Sequence, residues 1–201
     1  MRGAAIRPVP SYAVIDRGVL EQVERELADD RDEARAELDE AFARFEQTQP
    51  QLADRITAVL AGPLDETALA LGYFLSISIW LAFERRFDIR LGEVTEDALH
   101  ATDAAVALEE ELRASHEEEP FDLDDVIAVE QPGVLTFVHE HVDAALDMTA
   151  RAERNEANDD AEVDVEDVDL IYRTILVLVL ALSHAVVPVA GAASPSGEMM
   201  A

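Results

Sequence analysis

The sequence contains no cysteine and no lysine. The first absence excludes disulfides, thiol nucleophiles and thiolate metal sites. It says little about compartment, because a cysteine-free chain survives in either redox environment. The second means that all 15 basic side chains are arginines, against 44 acids, for a formal net charge of −29. A surface this negative repels phosphate backbones and anionic lipid, so no nucleic-acid partner is expected. Aromatic residues are scarce at 5%, so the core must be built from Leu, Val, Ile and Ala. The glycines stand singly at helix ends, with no glycine-rich phosphate loop and no Gly-x-Ser-x-Gly. No cofactor is implied. The stretch Met1–Gly18 has arginines and prolines but no continuous apolar region of the kind a secretory signal needs, so a cytoplasmic protein is expected.

Acidity of this degree is compatible with three readings. It can be a solvated surface suited to a salt-rich cytoplasm, an attraction for a basic protein partner, or a nucleic-acid-mimicking or cation-collecting surface.

The chain is organised around Asp65–Phe87, which has no charged residue between Thr67 and Phe83 and holds the only tryptophan, Trp80. Acids precede it and Arg85 and Arg86 end it, the order a helix dipole favours. A second nearly charge-free run spans Leu170–Val187, with Arg173 near its start. Its β-branched residues around Thr174–Val179 also suit a strand, but no other segment could pair with it, so helix is expected. A helix without a polar stripe is buried on most sides.

Residues 1–15 read as an extended lead-in, since Pro8 and Pro10 restrict the residues before them. Asp16 is an N-cap candidate for an amphipathic helix over 17–47, interrupted by charges at Asp29–Asp32. Leu20, Leu27, Ala34 and Ala41 recur along it every seven residues, beside Val23, Leu38, Phe42 and Phe45. This stripe could pack in its own bundle or pair with a second copy as a homo-oligomer. Gln49-Pro50 opens a short helix carrying Leu52, Ile56, Val59 and Leu60. Thr95 caps the next helix, whose stripe of Ala98, Ala101, Ala105, Leu108 and Leu112 suits close packing. A short helix is expected over Asp122–Val129, with Val126 and Ile127 inward. Gln131-Pro132 opens a helix with the stripe Leu135, Val138, Val142 and Leu146. An acidic loop follows at Asn155–Asp164, and residues 188–201 read as a disordered tail.

The two Gln-Pro pairs suggest a duplicated helical hairpin, with halves 42–87 and 122–187. Registering them places Phe45 on Ile127, Leu52 on Val134, Ile56 on Val138 and Leu60 on Val142. The two apolar helices would then lie side by side at the centre.

The two apolar runs also approach the length of a membrane span, and their arginines would flank the same side. Against a two-span membrane protein stand His184 and Pro188 in one run and Ser76 and Ser78 in the other. The remaining helices are amphipathic and need an apolar surface to cover.

Candidates for chemistry are few. The histidines are His100, His116, His139, His141 and His184. No Glu-x-x-His occurs, as a di-iron bundle requires, and the segment HEHVD lacks the second histidine of the zinc-protease motif. Glu96 with His100, and His139 with Asp143, are spaced to meet on one helix face, where ion pairs are the simpler outcome than a metal site. His184 reads as a core histidine. Asp160, Glu162, Asp164 and Glu166 alternate in the acidic loop but lack the glycine and the bidentate glutamate of a calcium loop. Tyr73, Ser76, Ser78 and Trp80 could line a cavity between central helices, or the serines could bond back to their own helix.

The sequence thus predicts an all-α, single-domain bundle of six or seven helices around apolar helices at about 65–87 and 170–187, with the domain over 16–187. It assigns no catalytic, cofactor or metal residue. The expected function is a non-enzymatic protein-interaction or structural module, whose protein partner would offer a basic surface or a helical groove. The alternatives are a small-molecule binder or enzyme with a cavity among the central helices, and a two-span membrane protein.

Overall fold

Apolar runs with no polar stripe go where every side meets protein, and the fold follows from this. The computed structural model describes residues 5–27, 32–60, 64, 66–115, 126–127, 130–154 and 165–189. Among them the chain is all-α, with helices α1 (Arg17–Leu27), α2 (Asp32–Thr48), α3 (Pro50–Leu60), α4 (Glu66–Phe87), α5 (Glu96–Ser115), α6 (Pro132–Arg154) and α7 (Val165–Ala185). Short 3₁₀ turns at Ser11–Ala13 and Asp88–Arg90 precede α1 and α5. The expected strand alternative at Thr174–Val179 gives way to helix α7, which begins earlier than its apolar run.

The apolar helices α4 and α7 pack on each other at the centre, and the remaining helices lay their apolar faces on this pair. Trp80 is buried against Phe45 at 5.2 Å between ring centroids, with the Arg44 guanidinium 5.8 Å from the indole. Such aromatic contacts add about 1 kcal/mol beyond burial. Gly72 lets α4 come close to its neighbours: a Cβ there would meet Leu60 at 2.9 Å and Ile171 at 3.6 Å. Helix α4 stops at Asp88, whose φ of 48° is the left-handed conformation that ends helices and that Asp tolerates.

The expected helix over 17–47 is two helices, α1 and α2, on either side of residues that lie outside the described set. Leu20, Val23, Ala41 and Phe45 are buried within this chain, and Leu27, Leu38 and Phe42 partly so. Asp16 caps α1, accepting the Gly18 N–H at 2.8 Å, and Thr95 caps α5, accepting the Ala98 N–H at 3.3 Å. The lead-in carries Ile6, Ala13 and Ile15 into the core. It approaches α6 so closely that a Cβ on Gly133 would stand 2.9 Å from the Ile15 carbonyl oxygen, a clash with backbone that only glycine avoids.

One expected face is turned. On α5, Leu99, Val106 and Glu109 are buried, whereas Ala98, Ala101 and Leu108 are exposed. The core takes the neighbouring stripe, roughly 100° round the helix from the expected one. On α6, Val134 and Phe137 join Val138 and Val142 inside, and Leu146 lies at the edge. Val126 and Ile127 are helical and buried; the rest of the helix expected at Asp122–Val129 lies outside the described residues, as do Asp65, Asn155–Asp164 and 190–201.

Both Gln-Pro glutamines are buried, at 2% and 0% exposure, and they do the same thing. Gln49 accepts the Val94 N–H at 2.8 Å and donates to the Gly92 carbonyl at 3.0 Å. Gln131 accepts the Ile15 N–H at 2.8 Å and donates to the Ala13 carbonyl at 2.8 Å, and to Ser183 Oγ at 3.0 Å. Each amide therefore pairs with an extended segment as a neighbouring strand would. Each segment leads into a helix, α5 for Gln49 and α1 for Gln131. The helix contacts exchange likewise. Helix α1 packs on α4 and α6, α5 packs on α7 and α3, and α3 on α7 is matched by α6 on α4. All eight residues that the two Gln-Pro pairs register on one another are buried.

Candidate functional site

An apolar cleft lies beside α5. Ala98, Ala101, Thr102 and Ala105 form one wall of a cleft, Leu180, Ala181, His184 and Ala185 of α7 form the other, and Ala5–Arg7 cross over it. Its volume is about 350 Å³, within the range of small-molecule sites. Small side chains make the space: five alanines from the two helices stand where longer residues would fill it. Glu93, Val94 and Thr95 line one end.

The crossing segment is held by its backbone. Glu109 accepts the Ala5 N–H at 2.8 Å and Glu130 accepts the Val9 N–H at 2.5 Å. Both carboxylates are buried, a position acids take only when hydrogen-bonded or paired. Between them, Ile6 is buried.

His184 is the one imidazole lining the cleft, where Arg7, Glu93, Thr95 and Thr102 also bring polar groups. Its Nε2 lies 3.2 Å from the Arg7 carbonyl oxygen. A carbonyl only accepts, so Nε2 carries the proton and Nδ1 presents a lone pair. That Nδ1 is buried and has no hydrogen-bond partner among the described residues. Burial, and next the positive charge of Arg7, push the imidazole below its ordinary value; the bond to the Arg7 carbonyl and the charge of Glu130 oppose this without reversing it. The ring is neutral at neutral pH, with one unused acceptor.

The other sequence candidates fall elsewhere. Ser76 donates to the Gly72 carbonyl at 2.7 Å, the back-bond expected of a mid-helix serine. Ser78 and Trp80 are buried in the core, where Ser78 Oγ and Trp80 Nε1 have no partner among the described residues. Neither they nor Tyr73 line the cleft; Tyr73 packs edge-on against Phe42 at 5.9 Å. The space is on the flank of α7 and not between the two central helices. His141 bonds the Phe137 carbonyl at 2.8 Å, stacks near Phe137 and Phe74, and lies 3.4 Å from Glu24. His139 stands edge-on to Tyr172 at 5.8 Å. His100 and Glu96 are exposed. His116 and the loop acids Asp160, Glu162 and Asp164 lie outside the described residues, and Glu166 lies in the first turn of α7. Among the described residues no three His, Asp or Glu side chains gather as a metal site would require.

The alanine stripe that lines the cleft was visible in the sequence, but as a packing face. Glu109 and Glu130 gave no signal, since an isolated glutamate in a helix reads as a solvent residue. The chain matches no protein-family model, no curated protein and no solved structure.

Proposed function

We propose that the protein is a non-enzymatic binding protein whose site is the cleft between α5, α7 and the crossing segment Ala5–Arg7. The ligand class is a small, uncharged, largely apolar molecule. The observation that carries this is the 350 Å³ cleft, walled mostly by alanines of α5 and α7. The surrounding charge of −29 disfavours anions. Titration with N-phenylnaphthylamine, a neutral apolar amine with a single N–H, tests it. Saturable enhancement of its emission that Ala101→Phe weakens at least tenfold supports the reading. Absence of saturable binding, or binding indifferent to Ala101→Phe, sinks it.

A protein partner is the second reading, favoured by the end of the bundle where α4 and α7 finish. Ile89 is 93% exposed there, beside the exposed Val187 and Val189, and the Val187 N–H bonds the Arg90 carbonyl at 2.8 Å. An apolar knob on an otherwise acidic molecule suits a contact with another protein. Loss of an isolated complex on Ile89→Asp, with the fold intact, supports it; a partner indifferent to that change counts against it.

Both readings take α4 and α7 as bundle core in a cytoplasmic protein. Two helices, Glu66–Arg90 and Asp167–Ala185, are long and apolar enough to cross a membrane, but 61% and 67% of their apolar windows are buried by the rest of the chain. Purification without detergent followed by light scattering tests this. A defined species supports the core reading, and pelleting with membranes that only detergent reverses overturns it.

A further inference from the structure

The cleft has a counterpart in the first half of the chain, and the difference between the two says what opens it. The glutamine contacts register Ala13 and Ile15 on Gly92 and Val94. The same register carries the cap Asp16 onto Thr95 and the first residue of α1, Arg17, onto the first residue of α5, Glu96. It continues with buried Leu20 on buried Leu99. In the apolar helices, Leu71, Tyr73, Leu81 and Ala82 register on Leu170, Tyr172, Leu180 and Ala181, and the first residues Glu66 and Val165 coincide. Gly72 and Ile171, equivalent in this register, meet each other across the centre, as self-equivalent positions beside a two-fold axis must.

Carried to the cleft, these registers set Val19, Gln22 and Glu26 on Ala98, Ala101 and Ala105, and Arg85 and Arg86 on His184 and Ala185. Every cleft-lining residue in this set is the smaller of its pair. Where Ala105 and His184 face each other across open space, Glu26 and Arg85 make an ion pair at 2.5 Å. The remaining hollow beside that pair is about 190 Å³ and is lined by Glu37, Glu40 and Arg44 as well.

We propose that the chain is two copies of one helical unit, each holding the same groove between its first and last helices. The groove of the first copy is closed by Glu26 and Arg85. That of the second is opened by Ala105 and His184, which makes this pair the determinant of a single binding site per chain. The ligand class rests on the proposed function above; the equivalence of the two grooves does not.

The experiment separates the two. Ala105→Glu, His184→Arg and the double variant are melted alongside the native protein, with no ligand. Equivalent grooves bring the new side chains together as Glu26 meets Arg85, so the double variant melts higher than the two single shifts added together. Additive shifts overturn the equivalence. The same double variant should lose at least tenfold in affinity for N-phenylnaphthylamine. The reverse variant Glu26→Ala/Arg85→His, folded by circular dichroism, should raise the stoichiometry from about one to about two. A native protein that binds one probe and a folded reverse variant that still binds one overturns the inference while the cleft reading stands. Coupling in the melts with no probe binding by the native protein overturns the cleft reading while the equivalence stands.

Discussion

Gln131 reaches across the molecule to Ile15, its Oε1 accepting the backbone N–H at 2.8 Å while its Nε2 holds the Ala13 carbonyl at the same distance. Gln49 holds Val94 and Gly92 in the same way. A buried amide lost to leucine leaves a backbone donor and acceptor without partners, at about 1–3 kcal/mol each. Gln131→Leu and Gln49→Leu should each destabilise the fold by roughly 3 kcal/mol, read as a lower urea midpoint at unchanged slope. Gln131→Leu should cost more, since Ser183 Oγ also loses a donor. A loss below about 1 kcal/mol in either would mean that water replaces the amide.

Leu20 is fully buried between α1 and the central helices. Leu20→Asp places a carboxylate there without a partner, which costs more than about 4 kcal/mol. The expected outcome is an unfolded chain by circular dichroism. A folded monomer arising from a native dimer would instead make this face an interface.

The burial of His184 sets a pH dependence. Its folded pKa lies below the ordinary 6.5, so near that pH the unfolded chain takes up the proton first. The contribution of the neutral ring is complete above pH 6.5, declines as pH falls below it, and is fully lost below the folded pKa. Denaturation curves of the native protein and His184→Gln, subtracted, should be flat above pH 6.5 and fall below it. Parallel curves throughout would show that the ring titrates freely.

Glu26 has the same sign of pH dependence, in a more acidic range. Its burial raises the carboxyl, but the hydrogen bonds from Arg85 and Gln22 and the charges of Arg85 and Arg25 outweigh this and hold it below its ordinary 4.5. The stability from this pair is present above that value and disappears as pH falls through the folded pKa. Arg85→Met should therefore flatten the acid limb of the stability profile; an unchanged limb would mean the pair is too solvated to matter.

With 44 acids on a chain of 201 residues, self-repulsion is the main electrostatic term. Raising ionic strength from about 0.01 M to 1 M shortens the screening length from about 30 Å to 3 Å. The melting temperature should rise across this range, by several degrees. A fall would show that the pairs Arg17–Glu140, Arg44–Glu84, Arg55–Asp103 and Arg173–Glu110 outweigh the repulsion.

Much of the fold could be read from local pattern. The charge-free runs gave α4 and α7, the Gln-Pro pairs gave the starts of α3 and α6, and Asp16 and Thr95 gave two caps, because each is decided by neighbours in sequence. The cleft was hidden because it depends on which of two apolar stripes of α5 wins the core, and that is decided by helices far away in sequence. The two glutamines, read only as marks of helix starts, are buried clasps. Their partners are backbone groups, which carry no residue identity to recognise.

The crossing segment also bears on how the chain is made. Arg7 meets His184, which follows it by 177 positions, and Ile15 meets Gln131, 116 positions on. At about 5–20 residues per second, the first segment leaves the ribosome roughly 10–35 s before its last partner is synthesised. The Ile15 contact with Gln131 can close before then, whereas the Arg7 contact with His184 can close only once α7 has been made.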